Sequence, residues 1–190
     1  QGMNAICVFS NGMPIEEMGM PSLTKVFDWY FCKDGVPAID ALINIMKFSL
    51  SSSGNISIDY FKKWNVPILA GYTIMTDYDE WKESFEGMNP MEVSIAISLP
   101  EFDGTIHGVP VAYKKVLENG DVNYLPIPER VHRMVNKARK WARLRRKANS
   151  DKKIAIIFHN YPPRNSNIGS ALGLDTLESI RRVLAAMQER

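Results

Sequence analysis

The amino-acid sequence predicts an α/β fold with a mostly parallel sheet, flanking helices and Rossmann-like three-layer lobes. Short apolar runs alternate with segments whose apolar residues recur at helical spacing, as in successive strand–helix units. The runs at 66–70, 93–99 and 154–158 are rich in apolar residues, which is typical of strands buried on both faces of a sheet. One β-hairpin and one long basic helix that links two lobes complete the predicted architecture.

The first half of the chain contains the signals for several of these elements. Residues 4–9 form an apolar run that ends at Asn11 and Gly12, which predicts a strand followed by a turn. Ser22 precedes one predicted helix, and apolar residues at helical spacing predict a second over 36–50. Two shorter elements follow, a strand over 66–70 and a helix over 79–85.

The second half begins with a hairpin and continues into a long helix. Apolar runs at 111–117 and 122–127 flank Asn119 and Gly120, a pair that favours a tight β-turn. From Pro128 to about residue 149, apolar residues recur at helical spacing and most other positions are Arg or Lys. This segment is therefore predicted to be an amphipathic helix with a basic face.

The hairpin and the long helix mark a predicted domain boundary. Residues 1–2 resemble the remnant of a cleaved tag. Residues 3–127 are predicted to form one α/β lobe, and residues 128–190 to contain the linking helix and the start of a second α/β lobe. We also expect the chain to be an internal piece of a longer protein.

Composition and charge argue against several classes of protein. The 190 residues are 45% hydrophobic and carry a formal net charge of +2, which is ordinary for a globular protein and gives no indication of nucleic-acid binding. No apolar run approaches the roughly 18 residues expected of a membrane span. Cys7 and Cys32 are isolated and no signal peptide is visible, so we predict a cytoplasmic protein with reduced thiols.

The stretch over 152–179 is typical of a loop between a strand and a helix. Pro162 and Pro163 cannot donate backbone hydrogen bonds and end the apolar run. Gly169 permits tight backbone geometry, and Asp175 or Thr176 can cap the helix that follows. Because ligands of open α/β sheets bind beyond the carboxyl ends of the strands, a site is predicted in this loop.

Five short motifs carry a resemblance to a known family. They are Pro-Glu-x-x-Gly at 100–104, Pro128-Glu129-Arg130-Val131, Asn160-Tyr161-Pro162-Pro163, Asn167-Ile168-Gly169, and Leu174-Asp175 with Ser179. Their order and spacing resemble the large, tetrapyrrole-binding subunit of the cobaltochelatase and magnesium chelatase family. The Asn-Tyr-Pro and Gly-Leu-Asp-Thr forms resemble the cobaltochelatase branch more than the magnesium branch.

The resemblance implies a function for a whole subunit acting with partners. It implies binding of a tetrapyrrole and ATP-dependent insertion of a divalent metal ion, with cobalt favoured and magnesium possible. ATP is expected on separate ATPase subunits, and this chain contains no Gly-x-x-x-x-Gly-Lys-Ser/Thr phosphate-binding loop. We expect no cofactor and no resident metal site on the chain, no nucleic-acid partner, and no activity from this piece alone.

The resemblance and the predicted strand ends together nominate candidate catalytic residues, namely Glu101, Asp103 and His159. Carboxylates and neutral imidazole can accept the protons that leave the pyrrole nitrogens. Structural alternatives stay open. Asp103 is also suited to bond its own backbone in a turn beside Gly104, and His159 to be a hydrogen-bonded residue at a strand end.

Candidate substrate-binding residues lie in the loop that follows. They are Asn160, Tyr161, Arg164, Asn167 and Gly169. Tetrapyrrole substrates carry carboxylates, which Arg binds in a bidentate manner, and the loop leads into a helix N-terminus, where anions are favoured. The alternative is a surface loop whose polar residues only cap that helix.

The basic face of the long helix has three interpretations. It is a solvated face, a contact for another part of the subunit or for the acidic side chains of a tetrapyrrole, or, least favoured, a nucleic-acid contact. Two other functions also stay open for the chain as a whole. It could be a non-catalytic α/β module that binds a small anionic ligand, or a lobe that docks an ATPase subunit.

Overall fold

The chain folds into two compact units. The structure, a computed structural model, describes residues 2–9, 15–54, 56–171 and 173–189. Residues 1–145 form the first unit and residues 146–190 the second. Within the described ranges, every helix is too short or too polar to cross a membrane.

The first unit is built on a sheet in which parallel pairing predominates. Its described strands are β1 (Cys32–Lys33), β2 (Val36–Pro37), β3 (Leu42–Asn44), β4 (Ile68–Ile74), β5 (Ile106–Val116) and β6 (Val122–Pro126). The last four form one sheet in the order β3-β4-β5-β6. β3 is parallel to β4 and β4 to β5, whereas β6 is antiparallel to β5. β1 and β2 form a separate small hairpin.

Helices connect and flank these strands, as an α/β fold requires. The described α-helices are α1 (Leu23–Phe31), α2 (Leu50–Gly54), α3 (Ile58–Trp64), α4 (Tyr78–Glu83), α5 (Pro90–Val93), α6 (Leu99–Phe102), α7 (Pro128–Arg146) and α8 (Thr176–Gln188). A π-helix over Ser94–Ser98 joins α5 to α6. Helices lie between β3 and β4 and between β4 and β5, the crossover connections that parallel strands need. The predicted α/β class, with a mostly parallel sheet and flanking helices, is confirmed.

An aromatic cluster packs α1 against α3. The rings of Phe27 and Trp64 are stacked with centroids 5.2 Å apart, and Phe31 lies 5.4 Å from Phe27. All three are buried, and the Trp64 indole N–H donates to Cys32 Sγ at 3.2 Å. Burial of aromatic side chains on this scale contributes several kcal/mol, so this cluster anchors the helices that precede β4.

A second apolar cluster fastens α7 to the sheet. Leu69 of β4 is fully buried and packs with Val109 of β5 and with Met134 and Ala138 of α7. Ile127 N–H also donates to Val111 O at 2.8 Å, which ties the start of α7 to β5. The long basic helix is confirmed, and it belongs to the first unit up to residue 145. The boundary predicted at residue 127 stays a prediction.

A β-bulge at Gly108 sets the register of the central strand pair. Leu69 pairs with Ile106 and Gly71 with Val109, so two residues of β5 lie opposite Ala70 alone. A Cβ atom added at Gly108 would lie 1.1 Å from Ala70 O. Only glycine fits this close approach of two backbones.

Several elements agree with the sequence analysis. β5 and β6 form the predicted hairpin, in which Gly120 has a φ of 86° and its N–H donates to Leu117 O. Ser22 caps α1, and Asp175 caps α8 by accepting from Glu178 N–H at 3.0 Å. Local signals such as caps and turn residues act within a few positions, so they survive without tertiary information.

Between residues 36 and 99, two predicted elements are wrong. Residues 36–50, predicted as a helix, contain β2 and β3, because Leu42–Asn44 pairs with β4. Residues 93–99, predicted as a strand, are helical, because Asn89 and Glu92 form a capping box with Pro90 in the first turn. A short apolar run fits a buried helix as well as a strand.

Two further predicted strands, one in each unit, do not form. Residues 4–9 form no strand, and the predicted turn at Asn11 and Gly12 lies outside the described residues. Residues 154–158, predicted as a buried strand, are exposed and form no ladder, with Ile157 at 92% of full exposure. A strand exists only where a neighbouring strand takes its hydrogen bonds, and the described part of the second unit provides none.

We expect Gly108→Ala to destabilise this chain by at least about 3 kcal/mol, because the added methyl overlaps a backbone carbonyl that cannot yield without breaking the β4–β5 pairing. Gly120→Ala, which changes a hairpin turn with open space around it, is the matched control and should cost about 1 kcal/mol. Urea unfolding followed by circular dichroism measures both. Equal losses would contradict the close-approach explanation.

Candidate functional site

The structure places Glu101 and Asp103 at the end of a helix. Glu101 lies on α6 and Asp103 is its C-cap, so the prediction that they follow a strand is wrong. Glu101 is exposed, whereas Asp103 is only 4% exposed. The two carboxylates are therefore close in sequence but lie in different environments.

Asp103 binds the N-terminus of a different helix. Ser49 Oγ donates to Asp103 Oδ1 at 3.0 Å, and Leu50 N–H donates to Oδ2 at 2.6 Å. Ser51 N–H also donates to Oδ2, at 3.4 Å. These groups lie at the start of α2, where backbone N–H groups have no partner within the helix and favour an anion. The bonding supports a structural role for Asp103. Its partners are groups at the start of α2, whereas the turn alternative predicted a bond to its own backbone beside Gly104.

In the second unit, the loop over 159–169 closes on itself. Gly169 N–H donates to His159 O at 2.8 Å, and Asn160 and Ile168 form an isolated antiparallel bridge. Gly169 is buried with a φ of 73°, and its carbonyl accepts a hydrogen bond from Thr176 Oγ1. The ends of the loop are thus fixed to each other and to the first turn of α8.

Two of the predicted substrate-binding residues form bonds within this loop. Asn160 Oδ1 accepts from Arg164 N–H at 3.3 Å, and Asn167 Nδ2 donates to Pro162 O at 2.8 Å. Side-chain amides that bond nearby backbone groups define a loop's shape. Asn160 and Asn167 therefore maintain the loop conformation.

Three other predicted residues are exposed on the same loop. Tyr161 is 74% exposed, and its ring centroid lies 6.2 Å from that of His159. His159 and Arg164 are exposed as well. The loop thus presents an imidazole, a phenol and a guanidinium within six residues, on a backbone closed by hydrogen bonds.

Two arginines of α8 form ion pairs with a glutamate in the first turn of the same helix. Arg181 Nε lies 2.7 Å from Glu178 Oε2, and Arg182 Nε lies 2.9 Å from Glu178 Oε1. Hydrogen bonds from Arg181, then from Arg182, lower the pKa of Glu178 to about 2. Because both arginines contact Glu178, Arg164 is the stronger candidate in this unit for binding an external carboxylate.

The structure also contains a groove beside the basic face of α7, and no sequence pattern indicated its second wall. It has a volume of about 540 Å³ and is lined by Gly108 and Val109 of β5 and by Glu129, His132, Arg133, Asn136, Lys137 and Lys140 of α7. The helical spacing of these α7 residues is visible in the sequence, but their position beside β5 depends on the tertiary packing. Among the described residues, no three His, Cys, Asp or Glu side chains gather as metal ligands would.

Comparison with known proteins identifies close sequence and structural relatives. The family model described as CobN/Magnesium Chelatase matches residues 1–190. An uncharacterised protein of Methanocaldococcus jannaschii is 40% identical over 200 residues, which cover 100% of this chain and 16% of that protein. The aerobic cobaltochelatase subunit CobN of Pseudomonas aeruginosa is 29% identical over 174 residues, covering 88% of this chain and 14% of that protein.

A solved structure agrees with these relatives. The catalytic subunit of cobaltochelatase from Mycobacterium tuberculosis superposes with a TM-score of 0.58 and 34% identity over 73% of this chain and 11% of that chain. The chain thus spans between 11% and 16% of the length of these three proteins.

We expect Asp103→Ala to lower the free energy of unfolding by about 3 kcal/mol, because the start of α2 loses a charged acceptor in a buried position. Asp103→Asn, which keeps one acceptor oxygen, should cost less. Glu101→Gln, at an exposed position two residues away, is the control and should cost under about 1 kcal/mol. Urea titration measures all three. A loss for Asp103→Ala no larger than that for Glu101→Gln would refute the structural role.

Proposed function

This chain belongs to the CobN/magnesium chelatase family, and we propose that it is part of the large subunit of a metal chelatase that binds a tetrapyrrole and inserts a divalent metal ion. The observation that carries the proposal is the family match over residues 1–190. We favour cobalt, with magnesium as the alternative, because the CobN relative and the solved structure are both named as cobaltochelatase subunits. We place the protein in the cytoplasm.

Metal insertion requires groups that hold the macrocycle and groups that accept its protons, and polar side chains can supply both. The divalent ion bonds to the ring nitrogens, two of which lose their protons, so the reaction releases two protons for each metal ion bound. ATP hydrolysis is assigned to separate ATPase subunits. The chain's own contribution is to hold the macrocycle and to take up protons from it.

His159 and Glu101 are the proposed proton acceptors. A neutral imidazole accepts a proton near neutral pH, and an exposed carboxylate can do the same once a substrate shields it from water. His159 lies in the second unit and Glu101 in the first, so each is proposed and tested on its own. Asp103, also predicted as catalytic, is less suited because its carboxylate already accepts three hydrogen bonds.

Tyr161 and Arg164 are the proposed substrate contacts in the second unit. An exposed phenol ring can stack on a flat macrocycle, and an exposed guanidinium can bind one of its carboxylates. Under this proposal Asn160, Asn167 and Gly169 keep the loop in the conformation that positions these two side chains. A preorganised loop lowers the entropic cost of binding.

A second function, docking of another polypeptide, is favoured by the exposed apolar residues of the second unit. Ile154 is 62% exposed and Leu177 is 69% exposed, and Val183 and Leu184 of α8 are also exposed. Apolar surface of this extent marks an interaction face. The ATPase subunits and the remaining part of a longer large subunit are its candidate occupants.

We expect His159→Ala and Glu101→Ala, each made in the intact large subunit, to slow metal insertion by about 100-fold or more, because proton removal loses its acceptor. The tetrapyrrole affinity should be unchanged. Asn165→Ala, at an exposed position in the same loop as His159, is the control. Insertion followed by absorbance, with partner subunits and ATP, gives the rate. Full rates in both variants would remove these residues from the mechanism.

We expect Arg164→Gln to weaken tetrapyrrole binding about tenfold through loss of a charge-assisted contact, and Tyr161→Ala to have a similar effect through loss of stacking. Asn165→Ala, an exposed neighbour, should bind normally. Fluorescence titration of a carboxylated porphyrin measures the affinities. Wild-type affinity in both variants would count against this loop as a substrate contact and would favour the docking function.

A further inference from the structure

We propose that the groove between α7 and β5 binds the carboxylate side chains of the tetrapyrrole. The inference rests on the proposed function and is confined to residues of the first unit. The sequence left three interpretations open for the basic face of α7, and the groove favours contact with the acidic side chains of a tetrapyrrole because of its lining, its charge and its rigid walls.

The groove is lined mainly by one face of a helix. Glu129, Arg133, Asn136 and Lys140 follow one another at spacings of four, three and four residues, so their side chains project from the same side of α7. β5 forms the other wall through Gly108 and Val109. The volume of about 540 Å³ accommodates several carboxylate groups with their hydration water.

The charge of the lining is positive. Arg133, Lys137 and Lys140 carry three positive charges, and His132 adds an imidazole. The one carboxylate of the lining, Glu129, already pairs with Arg130 at 2.8 Å. Several cations that converge on a concave surface attract an anion with more than one negative group.

The composition of the lining favours the edge of a tetrapyrrole over its flat face. None of the groove residues is aromatic, and Val109 is its only large apolar residue. A macrocycle face needs an apolar slot, whereas its peripheral carboxylates need guanidinium and ammonium groups. The groove therefore suits the substrate's acidic side chains.

The walls of the groove are held rigidly in place. Met134 and Ala138, on the buried face of α7, pack on Leu69 and Val109 of the sheet. Gly108 is fixed by its close approach to Ala70. Because the cations project from a helix whose buried face is anchored on the sheet, they keep their spacing before a ligand arrives, and binding costs less entropy.

The test uses the intact large subunit and the paired variant Arg133→Gln/Lys140→Gln. Both residues are exposed on α7, so the substitutions leave the packing of Met134 and Ala138 unchanged. The matched control is Lys115→Gln/Arg143→Gln, which removes the same charges from exposed positions that do not line the groove. Fluorescence titration with uroporphyrin, which carries eight carboxylates, gives the affinity at two salt concentrations.

We expect the groove variant to bind uroporphyrin at least tenfold more weakly and with a smaller salt dependence, while the control binds as the wild type does. In the insertion assay the KM for the tetrapyrrole should rise and kcat should stay within about twofold. Citrate, a small polycarboxylate, should compete with uroporphyrin in the wild type and lose that effect in the groove variant.

Two results would overturn the inference: wild-type affinity for uroporphyrin in the groove variant, and an equal loss in the control. If the groove variant keeps its uroporphyrin affinity but binds a single-stranded oligonucleotide more weakly, the groove binds nucleic acid instead. In each case a wild-type subunit that still inserts metal leaves the proposed function intact. A wild-type subunit that binds no tetrapyrrole would end both proposals.

Discussion

The close approach of two backbones at Gly108 and Ala70 is the constraint on which the first unit depends. β4 and β5 are the central strands of the sheet, so β3 and β6 take their positions from this pair. Leu69 and Val109, on either side of the bulge, are also the residues on which α7 packs. A side chain at position 108 would overlap Ala70 O. The strand register, the placement of α7 and the groove beside β5 therefore all require glycine at this position.

Asp103 provides a second long-range constraint. It accepts hydrogen bonds from residues more than fifty positions earlier and so joins the end of α6 to the start of α2. A carboxylate placed against unpaired N–H groups satisfies both partners in a buried setting, where either one alone would be costly. The motif over 100–104 that carried part of the family resemblance therefore contains a residue whose bonding is architectural.

In the loop of the second unit, some residues stabilise the backbone conformation and others are exposed to solvent. Asn160, Asn167 and Gly169 bond within the loop, and His159, Tyr161 and Arg164 lie exposed on it. The same unit exposes apolar residues on 154–158 and on α8. The chain spans 14% of its CobN relative.

Features that depend only on neighbouring residues could be predicted from the sequence alone. The caps at Ser22 and Asp175 and the Asn119-Gly120 turn act within a few positions, and the amphipathic pattern of α7 repeats along one continuous segment. Contacts between distant segments make a strand of Leu42–Asn44, place Asp103 at the start of α2 and make the basic residues of α7 line a groove. The physical reason is that apolar runs and charges specify what must be buried or solvated, whereas the partner is chosen by strand pairing and packing between distant segments.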